Sequence, residues 1–398
     1  MRRTRLLAFL LLFVGVGASL RSQVISGLDV LKKNEFAQLH GKKVGLITNQ
    51  TGLSKDGRSS IDILFEAPNL KLAAIFSPEH GVQGTEDRDT IESSVDPRTR
   101  LPVYSLYGKT RRPTSKMLEG LDVLVYDIQD VGVRYYTYIT TMGYCMEEAA
   151  RRGIKFLVLD RPVIINGSIV EGDLLPDTVR KFIAYYPIPT RYGMTPGELA
   201  RFYNEEWRIG CNLEVIKMEG WRRTMWFDDA RLRWVNPSPN IRKLDQAILY
   251  SGLGCLEATN LSVGRGTDHP FEYYGAPYLN GEELAKQLNE RGINGLKFSP
   301  VRFTPSTSAF ENQECSGVRA EIIDRNQLRT TEAFVRMAIE IKRQTSQWNY
   351  HSKRFAEMAG SDFIINALDK NLSAEGILRV FNEKVERFQT VRTKYLLY

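Results

Sequence analysis

The chain has 398 residues, 42% of them apolar and 25% charged, with a net charge of +7 and four cysteines. Apolar content near the globular average excludes a disordered or collagen-like protein, and the length suggests two domains at about 150 residues each. The basic excess is too small and too scattered for a nucleic-acid-binding surface.

Residues 1–23 read as a secretory signal peptide. Arg2, Arg3 and Arg5 form a positive segment, residues 6–14 are an unbroken apolar run, and Val16 and Ala18 have signal-peptidase spacing. The run falls short of the about 20 residues that span a bilayer, and Arg21 closes it. The expected product is an exported protein, periplasmic or extracellular, with no stable membrane insertion after signal cleavage. Cleavage after Ala18 removes three arginines and takes the net charge from +7 to +4. An oxidising compartment permits a disulfide. Cys145, Cys211, Cys255 and Cys315 contain no C-x-x-C pair, however, and four buried thiols are the plainer expectation.

The first half then alternates strand and helix. Residues 43–49 (KVGLITN) are an apolar, β-branched strand, and 59–66 have helical spacing. Residues 72–77 (LAAIFS) form the next strand and end at Pro78-Glu79-His80-Gly81. A long polar segment, 82–100, reads as a lid because it adjoins Glu79. Residues 102–107 predict a short strand, 113–120 a helix opened by Pro113, and 122–128 (DVLVYDI) a strongly apolar strand. A helix over 140–152 stops at Gly153, and the strand 155–159 (KFLVL) ends at Asp160-Arg161-Pro162. The region 163–248 is more irregular, with a helix at 195–207 and a tryptophan-rich stretch at 221–234. Helices at 281–291, 330–344 and from about 361 onward dominate the rest, with a strand at 317–323. The domain boundary falls near Leu249, giving parts 24–249 and 250–398.

Continuous apolar strands separated by helices predict a parallel α/β sheet covered on both faces, with ligands bound beyond the carboxyl ends of the strands. Three strand ends carry acids there: Glu79 with His80, then Asp127 and Asp130, then Asp160 beside Arg161. Glu171 follows a turn at Asn166-Gly167. Converging carboxylates suit glycoside hydrolysis, in which one carboxyl protonates the leaving oxygen and another attacks or activates water. An acid at a strand end is as often a helix cap or an ion-pair partner, and Asp160-Arg161 has that look. Tyr135, Tyr136, Tyr138, Phe271, Tyr273 and Tyr274 offer rings for the apolar face of a sugar, although ordinary core packing explains half of them. Arg134, Arg191 and Arg265 are forks for a substrate carboxylate. No glycine-rich phosphate loop follows the first strand, so no nucleotide cofactor is expected. No G-x-S-x-G elbow is present, and His80, His269 and Asp127 lack the spacing of a metal site. We therefore expect neither cofactor nor metal.

A series of strings in order carries a resemblance. They include Ser77-Pro78-Glu79-His80-Gly81, Asp127-Ile128-Gln129-Asp130-Val131-Gly132 running into Arg134-Tyr135-Tyr136-Thr137-Tyr138, and Asp160-Arg161-Pro162. Val170-Glu171-Gly172, Pro237-Ser238-Pro239-Asn240, Glu257-Ala258-Thr259-Asn260-Leu261-Ser262 and Gly264-Arg265-Gly266-Thr267 follow. Over essentially the whole chain beyond the signal, the sequence resembles the bacterial exo-β-N-acetylmuramidases, the NamZ family. The resemblance implies a Rossmann-like N-terminal domain bearing the active site, a smaller C-terminal α/β domain completing a cleft, and release of N-acetylmuramic acid from the non-reducing end of peptidoglycan fragments. It implies Glu79 as the first catalytic carboxylate, with His80 orienting it or touching substrate, and Glu171 or Asp127 as the second. Arg134 and Arg265 are expected at the substrate's lactyl carboxylate and Tyr136 against the ring. Asp130, Asp160, Arg161, Arg191, Glu257, Asn260 and His269 complete the set expected around the saccharide. Two places depart from the usual pattern near the expected site: Gln83, where arginine is usual, and Val163-Ile164-Ile165-Asn166-Gly167. Two other classes stay open, an amidase or esterase of wall fragments and a periplasmic muropeptide- or sugar-binding protein with little turnover.

Overall fold

The computed structural model describes residues 23–87 and 90–398, so the expected signal peptide lies outside the described residues. A seven-stranded sheet carries the first half: β1 (Lys43–Thr48), β2 (Lys71–Ser77), β3 (Ser94–Val95), β4 (Pro102–Ser105), β5 (Val123–Asp127), β6 (Lys155–Leu159) and, after two strands outside it, β9 (Leu213–Ile216). Its order is β3-β4-β2-β1-β5-β6-β9, parallel throughout except for β3. Without the edge β3, this is the doubly wound 3-2-1-4-5-6 order, whose direction of winding reverses between β1 and β5.

The buried runs explain the layers. Along β5, Val123 and Val125 face one cluster with Leu28, Leu31, Ile61 and Leu64, from α1 (Gly27–Lys33) and α2 (Ser60–Glu66). Leu124 and Tyr126 face the other, with Met142 and Met146 of α3 (Tyr138–Arg152) and Leu199 of α4 (Pro196–Glu206). Two-residue alternation with both faces apolar is what a covered parallel strand requires. Caps set the helix starts. Ser59 accepts from the Asp62 amide at 3.0 Å, and Thr195 and Glu198 form a reciprocal capping box with Pro196 in the first turn.

The remaining elements are an antiparallel pair, β7 (Glu171–Leu174) and β8 (Pro189–Arg191), then α5 (Leu244–Leu253), β10 (Tyr273–Ala276), α6 (Gly281–Glu290), β11 (Leu296–Phe303) and β12 (Cys315–Ile322). The chain finishes with α7 (Thr330–Gln344), α8 (Ser352–Ala359), α9 (Phe363–Asp369) and α10 (Ala374–Arg392). Strands β10, β12 and β11 form an antiparallel sheet. The second core cluster runs without a break from Ile47 and Phe76 in the main sheet to Phe334, Phe355 and Tyr395. Leu249 sits within α5, a helix absent from the sequence expectation.

Residues 113–120 are a turn and not the expected helix. The Leu118 amide is shared at 3.2 Å between the Thr114 and Ser115 carbonyls, and Gly120 then enters the left-handed region. One turn fixes too many dihedrals for too few bonds to persist as a helix. The expected helical region from about 361 consists of α9 and α10, separated where Asn371 takes φ 52°. All four cysteines are free and buried.

Candidate active site

Doubly wound sheets bind ligands where the winding reverses; here hydrogen bonds across that crevice leave only a narrow pocket beside Thr51, Gln129 and Arg161. The Thr48 hydroxyl donates to the Asp127 carbonyl at 2.8 Å, and the Gln129 amide donates to Thr51 Oγ1 at 2.9 Å. A Cβ on Gly52 would stand 2.2 Å from Thr48 Oγ1. The cavity of interest lies one strand over, beyond β2, and encloses about 660 Å³ of space open to solvent.

Glu79 and His80 leave β2 directly into this cavity. Glu79 is half-buried, and its carboxylate accepts a hydrogen bond from the hydroxyl of Thr137, the residue before α3. His80 adopts φ 69°. Its Nδ1 lies 2.6 Å from the Glu86 carbonyl, which can only accept, so Nδ1 carries a proton and donates there. One wall is aromatic, with Tyr135, Tyr136, Tyr250 and Phe271. Tyr250 meets Tyr135 edge-on at 5.2 Å, Tyr136 at 6.1 Å and Phe271 at 4.7 Å. Ser238, Asn240 and Ile241 form another side, and Ile183, Arg354 and Met358 line the cavity as well.

Charge in the cavity is organised around Arg265. It donates to Glu257 at 2.9 Å and to both oxygens of Asp87 at 2.8 and 3.0 Å, while Asn240 donates to Asp87 at 3.1 Å. Burial pushes the Asp87 carboxyl up, but the Arg265 charge and hydrogen bond outweigh it and hold Asp87 below its ordinary value. Burial likewise disfavours the Arg265 cation, and Glu257 and Asp87 more than restore it. Asp87 belongs to the segment expected as a lid. The lid segment is therefore tied to the second half of the chain at Arg265.

The structure brings Glu79, His80, Tyr135, Tyr136, Glu257, Arg265 and Phe271 together and places the other expected residues elsewhere. Glu171 lies in β7, where its oxygens accept from Arg191 at 3.1 Å, the Thr330 hydroxyl at 2.9 Å, and the Thr330 and Thr331 amides at 3.3 and 3.2 Å. It caps α7 and neutralises a fully buried arginine, so the expectation of a second acid at Glu171 is not carried forward. Asp127 is fully buried and paired bidentately with Arg161, at 2.6 and 3.0 Å. Asp160 accepts from Thr195, Gly197, Tyr398 and its neighbour Arg161, joining the start of α4 to Tyr398. Burial pushes its carboxyl up to about 7 against those donors.

Asp130 is buried with donors from Tyr192 and the Gly132 amide, and burial raises it to about 6. Arg134 is buried and spends its donors on the Glu357 and Met358 carbonyls at 2.7 and 2.8 Å, which docks α8. It is therefore unavailable to a substrate carboxylate. Asn260 holds residues 347–349 and Tyr278, and His269 stacks on Tyr273 at 4.5 Å beside Glu272. Gln83 is exposed and borders a neighbouring cavity that shares only His80 with this one. Val163 and Ile165 are buried against Gly132. Neither departure from the family pattern touches the Glu79 cavity.

Residues that sequence reasoning did not single out also line the cavity: Asp87, Thr137, Asn240, Tyr250 and Arg354. Thr137 and Asn240 stood inside recognised strings and were overlooked, while Arg354 lies in no motif.

A doubly wound α/β chain with a glutamate unpaired by arginine in an aromatic-lined cleft has the makings of a carboxylate-dependent enzyme of the glycoside hydrolase kind. Two family models match, exo-β-N-acetylmuramidase NamZ, N-terminal, over residues 44–245, and its C-terminal counterpart over residues 248–398. The chain is 41% identical over 382 residues to the peptidoglycan β-N-acetylmuramidase NamZ of Bacillus subtilis (strain 168), covering 95% of this chain and 92% of that protein. Two DUF1343 family crystal structures from Bacteroides fragilis NCTC 9343 share the fold. One has TM-score 0.88 at 39% identity, over 94% of this chain and 99% of that one; the other has 0.78 at 30%, over 95% and 99%. The chain belongs to the NamZ exo-β-N-acetylmuramidase family, and with it to the glycoside hydrolases.

Proposed function

We propose that the chain is exported and removes N-acetylmuramic acid from the non-reducing end of peptidoglycan fragments, with Glu79 as the acid–base group. One observation carries the assignment. Among the described residues three carboxylates line the cavity; Asp87 and Glu257 are bound to Arg265, and Glu79 is not held by an arginine. A single free carboxyl suits a route in which the sugar's own 2-acetamido oxygen attacks the anomeric carbon. Glu79 gives its proton to the leaving oxygen as that bond breaks, then takes one from the water that opens the cyclic intermediate. In this reading Tyr136, which lines the cavity, holds the acetamido group, and His80 orients Glu79 or meets the sugar. The meeting of the two family models between residues 245 and 248 supports a division near Leu249. The arginine-flanked apolar run at 6–14 supports export. The matches do not favour the amidase, esterase or binding-protein readings.

Two isomeric disaccharides test the reading. The β-1,4 disaccharide with N-acetylmuramic acid at its non-reducing end is cleaved, and the one with N-acetylglucosamine there is left intact. Cleavage of the second alone, or of internal bonds in long glycan strands, overturns it.

A further inference from the structure

Muramic acid differs from glucosamine by a lactyl ether that ends in a carboxylate. A carboxylate entering a cleft that already holds Glu79, Asp87 and Glu257 needs a cation of its own, since burying an unpaired charge is costly. Arg265 is poorly suited. It is already bonded to two carboxylates, and a third anion there would meet their combined repulsion. Arg134 is buried and committed to the two carbonyls of α8. Arg354 is different. It lines the cavity, is exposed, and among the described residues makes no hydrogen bond or ion pair.

Its placement is fixed by the rest of the fold. Met358, one helical turn later on α8, lines the same cavity, so the two side chains share a face. Arg134 anchors the far end of α8. Phe355, between them, packs on Phe334 at 5.8 Å and stacks on Tyr350 at 5.0 Å. A free guanidinium thus stands on a docked helix at the cavity, with no counter-ion of its own among the described residues. Its planar fork matches a carboxylate bidentately.

We propose that Arg354 receives the substrate's lactyl carboxylate and is the residue that sets muramic acid apart from glucosamine; this rests on the glycosidase reading above. Arg265, in this account, holds Asp87 and Glu257 in place and does not bind the lactyl group.

Calorimetric binding of free N-acetylmuramic acid and free N-acetylglucosamine to the full chain tests the proposal, alongside Arg354→Gln, Arg354→Lys and Arg265→Gln. The preference for muramic acid falls about tenfold in Arg354→Gln, the order expected for one charge-assisted hydrogen-bonded contact at a partly wet site. Arg354→Lys retains part of it, and the lactyl amide of muramic acid binds wild type and Arg354→Gln alike. A preference unchanged in Arg354→Gln, or lost in Arg265→Gln while Arg354→Gln keeps it, overturns the assignment of Arg354 and leaves the glycosidase reading standing. Wild-type protein that neither binds muramic acid nor cleaves its β-glycosides overturns that reading, and the proposal with it.

Discussion

Glu171 stands in a motif string yet is placed as a structural acid, and the two roles make opposite forecasts for Glu171→Gln. The side chain of Arg191 is 0% exposed, and Glu171 is the carboxylate bonded to it. Two further nitrogens of Arg191 have no hydrogen-bond partner among the described residues. Removing the Glu171 charge leaves that guanidinium buried without an anion, a change that costs about 3–5 kcal/mol. The amide oxygen of the substituted side chain can still accept from Thr330, so the α7 cap is partly kept and the lower end, about 3 kcal/mol, applies. Thermal unfolding should show a melting temperature roughly 4 °C lower. Turnover at 25 °C, per folded molecule, should stay within about threefold of wild type, because Glu171 does not line the Glu79 cavity. Normal stability with turnover reduced by roughly 10²-fold or more, as removal of an acid–base group brings, would refute this placement.

Asp130 predicts a pH signature. Its folded value of about 6 lies above the ordinary 3.8 because burial favours the neutral form. The folded state therefore binds more protons between pH 4 and 6, and stability falls as pH rises through that window. About two units correspond to roughly 3 kcal/mol. Asp130→Asn should flatten the wild-type slope of unfolding free energy over pH 4–6; an identical slope in the variant would contradict it. The tie across the cleft predicts that Asp87→Ala speeds hydrogen exchange of the amides at 81–87 by about fivefold, the worth of one exposed ion pair. Unchanged exchange would mean the Arg265 contact does not hold that segment. Arg134→Met should destabilise the chain and raise KM for the muramide more than it lowers kcat, because α8 carries Arg354 and Met358 into the cleft. An unaltered KM in folded protein would argue against that docking role.

The central sheet was legible because its strands are continuous apolar runs bounded by turn residues, and parallel strands buried on both faces leave that trace. Glu79 was legible for the same reason, since a strand ending in Pro-Glu-His-Gly delivers its acid to the ligand edge. The other charged residues of the motif strings looked equally available, but their partners lie far along the chain: Glu171 meets Thr330, Asp160 meets Tyr398, and Arg134 meets Glu357. Separations of this size leave no local pattern. A buried structural carboxylate and a catalytic one look alike until their donors are known. Arg354 was hidden for the converse reason. SKRFAEMA stood in no predicted element and no motif, and only the docking of α8 brings Arg354 to the cavity. The short strands β7, β8 and β9 and the helix α5 were missed because three or four residues, or a helix apolar on all sides, carry no periodicity of their own.

The most direct test of Glu79 as the proton donor compares leaving groups. Wild type and Glu79→Gln are assayed on the muramyl-β-1,4-glucosamine disaccharide and on a nitrophenyl β-muramide, whose leaving group departs with little protonation. The account predicts a loss of roughly 10²-fold or more on the disaccharide and a markedly smaller loss of glycosidic bond cleavage on the nitrophenyl substrate. Equal losses on both substrates, or full activity of Glu79→Gln on the disaccharide, would contradict it.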